Sequence, residues 1–273
     1  MNYKVACCLC VRDCGSFLPD IFTNLDLLAK EFKYFNVVFV YDNCKDNSEQ
    51  LLLQYANRSK HKVIVIKQTD NNSPHRTVRI ANARNKCLDI VYNELEDIDF
   101  HIMIDADDVN IKKWDIELIK KYLNNNEWDA LSFNKEGYYD IWALMYNNYK
   151  HHCWGFACPY NISVKIINTM KDDLIYKLKQ LEGDLFECLS AFGGFAIYRT
   201  NVFKDIKYDG YYQNVKKYIS DEERMNTINY LENIIKEKIF INERQIEHCE
   251  HLNYHLSAIQ NNHARIRISK YCL

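Results

Sequence analysis

Residues 100–109 read Phe-His-Ile-Met-Ile-Asp-Ala-Asp-Asp-Val (FHIMIDADDV). An apolar, β-prone run from Phe100 to Ile104 stops at three carboxylates, Asp105, Asp107 and Asp108. A buried strand that ends this way puts its acids at the carboxyl edge of a sheet, where open α/β sheets hold ligands. Like charges so close repel one another unless a cation or a set of donors neutralises them. Hard divalent cations take carboxylate oxygens and usually keep phosphate oxygens as co-ligands. One reading is therefore a metal-bound diphosphate, and hence a nucleotide-activated donor. The other is a solvated acidic loop capping the next helix, a common use of Asp. Under the first reading, small Ala106 lets a bulky ligand approach the backbone. Asp107 then takes the direct metal role, Asp105 shares the metal or a ribose hydroxyl, and Asp108 caps the following turn.

Outward from this stretch the chain alternates strands and helices. Tyr3–Val11, Asn36–Tyr41 (NVVFVY), Lys62–Lys67 (KVIVIK) and Asp99–Ile104 are short apolar runs without polar alternation. Helical spacing follows the first three, to about Lys33 from Ser16, over Glu49–Asn57 and over Thr77–Leu95. That order predicts βαβ units and a parallel sheet covered on both faces. Asp42 and Asp105 then converge at one sheet edge. The second half is less regular. Helices are expected at Ile111–Leu123, Val164–Leu181 and Asp221–Lys238, and strands at Asp129–Phe133, Tyr138–Leu144 and across Phe186–Arg199. No linker or repeat interrupts the chain. We expect one domain over 1–273, with a nucleotide-binding half (1–110) and an acceptor-binding half (111–273).

Bulk composition narrows the class. The chain has 273 residues, 48% of them hydrophobic, so a large core is available. A net charge of -2 gives no reason to expect a nucleic-acid partner. No segment reaches the roughly 20 apolar residues of a membrane-spanning helix, and the N-terminus lacks the pattern of a signal peptide. The 11 cysteines are an odd number, several of them in apolar strands, which points to reduced thiols and a cytoplasmic location. Nothing in the pattern fixes the oligomeric state.

Other clusters carry two readings each. Arg76, Arg79 and Arg84 lie just ahead of the acidic strand; Arg suits bidentate phosphate or carboxylate contact, but also forms solvated helix faces. His251 and His255 stand four apart and His248 precedes them by three, one face of a helix. A zinc site with Cys249 lacks a second ligand pair of matching spacing. One His joining two Asp on Mn²⁺ or Mg²⁺ is the better functional reading, and solvated helix histidines the bland one. Gly193-Gly194 marks a bulge, a bend or a close backbone approach.

Taken in order, Asp42-Asn43…Asp46-Asn47-Ser48, Arg79…Arg84-Asn85, IDADD, Tyr139-Asp140-Ile141-Trp142-Ala143-Leu144, SAFGGFAIYR and CEHLNYH resemble the GT-A glycosyltransferases. Within them, the order is similar to a viral and microbial subgroup related to fungal capsule-type mannosyltransferases. The resemblance implies a GT-A (Rossmann-like) α/β fold, a mostly parallel central sheet flanked by helices, with an irregular acceptor-binding second half. It implies a nucleotide-diphosphate sugar as co-substrate and a glycan or other hydroxyl as acceptor, in the host cytoplasm if the source is viral. Arg12 and the Asp42 loop would lie near base and ribose. Arg79 or Arg84 would orient the diphosphate or the first Asp of the motif. Asp105 and Asp107 would hold the metal, with His251 or His255 completing its shell. Gly193, Gly194 and the YDIWAL stretch would line the donor sugar and acceptor.

An acceptor hydroxyl is a poor nucleophile, so an inverting transfer needs a carboxylate base in reach. Glu250 is the first choice, Asp140 the second and Glu187 the third. Tyr139, Trp142 and Trp154 are candidates for stacking on sugar faces, against the plain alternative of core packing. Two other functions compete: a sugar-phosphate nucleotidyltransferase, for which CVRDCGS is a poor phosphate loop, and a non-catalytic sugar-nucleotide or glycan-binding module.

Overall fold

The structure, a computed structural model, describes every residue except Tyr139; the stacking role expected of Tyr139 lies outside the described residues. Its first half runs β1 (Lys4–Val11), α1 (Leu18–Ala29), β2 (Tyr34–Tyr41), α2 (Ser48–Arg58), β3 (Lys62–Lys67), α3 (Arg76–Asn93) and β4 (Phe100–Asp105). Its second half runs α4 (Ile116–Leu123), β5 (Ala130–Asn134), α5 (Tyr160–Gln180), β6 (Leu185–Cys188), β7 (Phe195–Arg199), α6 (Tyr212–Lys216), α7 (Asp221–Ile235), α8 (Glu250–Asn262) and β8 (Ile266–Cys272).

All eight strands join one sheet in the order β3-β2-β1-β4-β7-β5-β8-β6. β1, β2, β3 and β4 are mutually parallel. β7 then runs antiparallel against both β4 and β5, and β6 antiparallel against β8. The continuous apolar character of β1 has a direct cause. Val5, Cys7, Leu9 and Val11 enter one buried layer and Ala6 and Cys8 the other, so both pleat faces need apolar side chains. The chain reverses its strand order at β1, from which β2 lies on one side and β4 on the other; such a switch point opens a crevice beyond the carboxyl ends. Register sets what meets there: Val11 pairs with Tyr41, and Cys10 with Asp105. Arg12, Asp42 and Asp105 are thus the first residues at that edge.

Several expectations change. Tyr138–Leu144 is no strand; Asp140 caps a short 3-10 turn, Ile141–Ala143, by accepting from the Ala143 N–H at 3.2 Å. The single run expected over 186–199 is two strands, β6 and β7, which are not neighbours in the sheet. Between them Gly193 and Gly194 adopt positive φ (68° and 80°). A Cβ there would press on the Phe133 carbonyl or on Val109, so the pair is a tight backbone crossing. β8 had no counterpart in the sequence reading. α8 carries the expected histidines but is buried along Glu250–Ala258 on every side.

Candidate active site

A cavity of about 780 Å³ opens at the switch point, within the range of roughly 300–1,000 Å³ usual for small-molecule sites. One wall is made by the ends of β1 and β2 and the start of α3, including Arg12, Asp42, Arg76 and Arg79. Its floor holds Asp105, Asp107 and Arg84. The opposite wall is Asp140, Ile141, Trp142 and Trp154, with Glu250 at the α8 N-terminus. Residues from seven separated parts of the chain therefore share one space.

Arg84 is the centre of its electrostatics. It is 4% exposed, on α3. Its Nη2 donates to Asp105 Oδ1 at 3.0 Å, and its Nε lies 3.1 Å from Glu250 Oε1 without the alignment of a hydrogen bond. The guanidinium sits 4.6 Å from the Phe192 ring centre and 5.7 Å from that of Tyr208, contacts that favour a desolvated cation. One buried cation thus faces several acids. Burial pushes the Asp105 carboxyl up to about 7, and the charges of Asp107, Asp140 and Glu250 add to that rise against the pull of Arg84. Burial and then the Glu250 charge push Asp140 up to about 6. Asp107 caps the short turn Asp108–Asn110 by accepting from the Val109 N–H at 3.2 Å, the capping role expected of Asp108.

The donors offered at the end of β4 are hard carboxylate oxygens, as Mg²⁺ or Mn²⁺ requires. Burial first, and then the charges of Asp107, Asp140 and Glu250, raise the proton affinity of Asp105 against the pull of Arg84, and a cation would offset the part that comes from charge. Asp105 and Asp107 fit the ion. The histidines fit less well. His255 has both ring nitrogens occupied, by Ser190 Oγ at 2.9 Å and Tyr198 OH at 3.1 Å, so its one lone pair is used and the metal role expected of it is withdrawn. His251 is 1% exposed, stacked on Phe192, and neither ring nitrogen has a hydrogen-bond partner. Its Nε2 is 3.8 Å from Glu250 Oε1, and it does not reach the cavity lining. Among the described residues, the group whose ligand atoms lie close enough together for an ion is Asp13, Cys44 and Asp46. There the Asp13 and Asp46 oxygens already accept from the N–H groups of Lys45 and Gly15.

The remaining expected residues divide. Arg12 and Asp42 meet in an ion pair at 3.5 Å on the cavity wall. Arg79 lines the same wall while its Nη1 donates to the Ser73 carbonyl at 2.7 Å. Gly193 and Gly194 stand behind the site instead of lining it: the Asp105 N–H donates to the Gly194 carbonyl at 2.9 Å, so they fix the strand end that carries the acid. Gln68, Asn71 and Cys10, which the sequence reading passed over, also face the cavity. Only the fold gathers them, since none belongs to a motif. Among the described residues, no helix is long and apolar enough to cross a membrane.

Comparisons with known proteins follow the same lines. S. aureus TarS 1-349 in complex with UDP-GlcNAc is 16% identical at a TM-score of 0.46, covering 98% of this chain and 56% of that one. Mannosyltransferase PcManGT from Pyrobaculum calidifontis, in complex with GDP-Man and Mn2+, is 13% identical at a TM-score of 0.44, over 77% and 48%. Glucosyl-3-phosphoglycerate synthase from Mycobacterium tuberculosis, in complex with Mn2+, UDP and its product, is 10% identical at 0.42, over 75% and 59%. The chain spans about half the length of these solved proteins. No curated protein sequence matches it. Residues 8–207 do match the family model described as Glycosyl transferase family 2, and a match over this much of the sequence shows that the chain belongs to glycosyl transferase family 2.

Proposed function

We propose that this protein transfers a sugar from a nucleotide-diphosphate donor to a hydroxyl acceptor, with Mn²⁺ or Mg²⁺ held by Asp105 and Asp107. The observation that carries this reading is the convergence of Asp105, Asp107, Asp140, Glu250 and Arg84 in one cavity at the sheet switch point. An Asp-x-Asp pair there serves a diphosphate. A bound divalent cation would offset the charge that grows on the departing diphosphate. Arg12 and Asp42 take the nucleoside end, with Arg79 beside them. The three solved proteins named above are in complex with UDP-GlcNAc, GDP-Man or UDP, nucleotides of the class proposed here. His251 stands beside Glu250, and burial keeps its imidazole neutral.

In the transfer, the acceptor oxygen bonds to the sugar's anomeric carbon as that carbon's bond to the diphosphate oxygen breaks. The acceptor proton passes to a carboxylate of the protein. We assign that step to the Asp140–Glu250 pair, which lines the same cavity. Glu250 stays beside Arg84, and Asp140 is the member that takes the proton near neutrality. Such a base belongs to an inverting transfer.

A reducing, cytoplasmic setting rests on the cysteine usage, and a viral source on the order of motifs shared with the capsule-related subgroup. The chain is proposed as one domain because the strands of both halves form one continuous sheet, joined where β4 pairs with β7. Thermal denaturation with UDP- and GDP-sugars, each with and without Mn²⁺, tests the function. Stabilisation by one nucleotide class only with metal, lost in Asp107→Ala, is the expected result. Metal-independent stabilisation by a nucleotide sugar, unchanged in Asp107→Ala, would move the assignment to a non-catalytic binding module.

A further inference from the structure

Trp154 is 45% exposed although its backbone is held on both sides. The Gly155 N–H donates to the His152 carbonyl, the Asn242 N–H to the Gly155 carbonyl, and Phe156 bridges to Ile241. Gly155 itself has no room for a side chain, since a Cβ would overlap the ring nitrogens of His151 and His152. A large apolar ring is therefore presented to solvent on a fixed turn, at the wall of the cavity that holds the acids.

Trp142, half-buried on the same wall, is fixed by a chain of side chains. Its indole N–H donates to His152 Nδ1 at 3.0 Å. That leaves the His152 proton on Nε2, which faces Gln245 Oε1 at 2.9 Å. Gln245 Nε2 donates in turn to the Glu247 carbonyl. The Glu247 carboxylate accepts from the N–H and Oγ1–H of Thr77 at the start of α3. Burial and the neighbouring histidines hold His152 well below its ordinary pKa, so it stays neutral and the tautomer is kept. Folding alone does not call for this. An indole nitrogen at a cavity rim can bond to water, whereas here a buried His, a Gln and a Glu fix its ring.

We infer that Trp142 and Trp154 form an acceptor subsite that takes a carbohydrate ring, lying on the indole faces with one hydroxyl directed at Asp140. The inference rests on the proposed transfer reaction and names its acceptor class. The C–H face of a pyranose is apolar and its edge is polar. Aromatic rings held in the same cavity as two carboxylates match both, at little conformational-entropy cost. A lipid chain would find the carboxylates at its centre and lose contact with them. His152 and Gln245 act as positioning residues: His152 holds the Trp142 indole and Gln245 holds His152.

The chain's composition supplies a readout. Of its four tryptophans, Trp114 and Trp128 are buried in the layer on the other side of the sheet, so a saturable change in intrinsic fluorescence reports on Trp142 and Trp154. The experiment titrates the full chain, with Mn²⁺ and with or without UDP or GDP, against the methyl glycosides of glucose, galactose, mannose and N-acetylglucosamine. Binding is read by fluorescence and by saturation-transfer NMR. Saturable binding of at least one glycoside is expected. Trp154→Ala should then weaken it by about tenfold or more, while nucleotide affinity holds within twofold. Trp142→Phe, which keeps a ring but loses the His152 anchor, should weaken it less. The inference is overturned if no glycoside binds in any state, or if Trp154→Ala leaves glycoside affinity within twofold. Failure of every nucleotide sugar to bind would instead sink the transferase reading and leave the glycoside titration still decisive for the wall.

Discussion

Replacing Arg84 by Met keeps the side-chain stem and removes the charge. Two carboxylates lose their partner, at 3.0 Å and 3.1 Å. At an effective dielectric of about 20, each contact is worth about 5 kcal/mol of direct attraction. Much of this is cancelled because the guanidinium no longer has to be desolvated. Removing one member of a buried ion pair leaves a net loss of about 3–5 kcal/mol. The stacking of the cation over Phe192 belongs to the same loss. The pH dependence follows from sign. The Asp105 carboxyl already lies above its ordinary value, at about 7, and Arg84 pulls it down; without Arg84 it rises further. A carboxyl raised in the folded state costs stability as pH climbs from the unfolded value of about 4 through the folded one. The deficit of Arg84→Met should therefore be largest at pH 8 and shrink by pH 5.5, where Asp105 is protonated. Urea denaturation at both pH values measures it. A deficit below about 1 kcal/mol at pH 8, or a larger deficit at pH 5.5 than at pH 8, would refute the reasoning. The triple variant Arg84→Met with Asp105→Asn and Glu250→Gln should regain most of the loss, since the two carboxylates that Arg84 contacts are then neutral.

Further outcomes are expected. The acid limb of kcat/KM should lie near pH 6, the value to which Asp140 is raised. Activity falls below that pH as the base protonates. Glu250→Gln removes a charge that raises Asp140 and should move the limb lower in whatever activity remains; a limb that persists in Asp140→Asn would take the assignment away from Asp140. His255→Ala should lose about 2–4 kcal/mol through two buried hydrogen bonds and a cavity, with Mn²⁺ affinity by calorimetry unchanged; weakened Mn²⁺ binding would return His255 to the metal shell. Glu223 is held down at about 2 by Lys150 and the Ser220 cap, so its contribution is present above about pH 4.5 and lost as pH falls toward 2. With the side chain about a third exposed, screening reduces it to about 1 kcal/mol. Glu223→Ala should show that deficit at pH 7 and little at pH 3. Ser220→Ala should cost about 1 kcal/mol by unfolding titration; no measurable cost would mean the helix end is held by other contacts.

The parallel half of the sheet could be read in advance because β1 to β4 are buried on both faces and show it as unbroken apolar runs. The acid cluster was legible for a related reason: a strand that ends in three carboxylates cannot continue into a core. β8 escaped because Ile266-Arg267-Ile268-Ser269-Lys270 alternates in the manner of a half-exposed strand and lies close to the chain end. α8 misled for the opposite reason. Its Glu, Asn and three aromatic polar side chains suggest a wet helix, yet Tyr254 is satisfied by His101 at 3.0 Å and His255 by Ser190 and Tyr198. Polar side chains satisfied by distant partners can be buried, and those partners lie more than fifty residues away in sequence. The Arg84–Glu250 contact was invisible for the same reason, and the Trp142–His152 anchor, ten residues apart, because no regular spacing joins its partners.

The strand that carries Asp105 is bonded on one side to β1 and on the other to β7, and Gly194 takes the Asp105 N–H itself. The two halves of the chain thus share a seam at the chemical centre. A hinge between them would tear backbone hydrogen bonds at the acid that the chemistry needs in place. Any change of shape around substrates must therefore fall to the loops above the sheet edge, while the floor beneath them stays still. Changing which acceptor is used would then be a matter of rebuilding those loops on an unmoving base, without remaking the sheet.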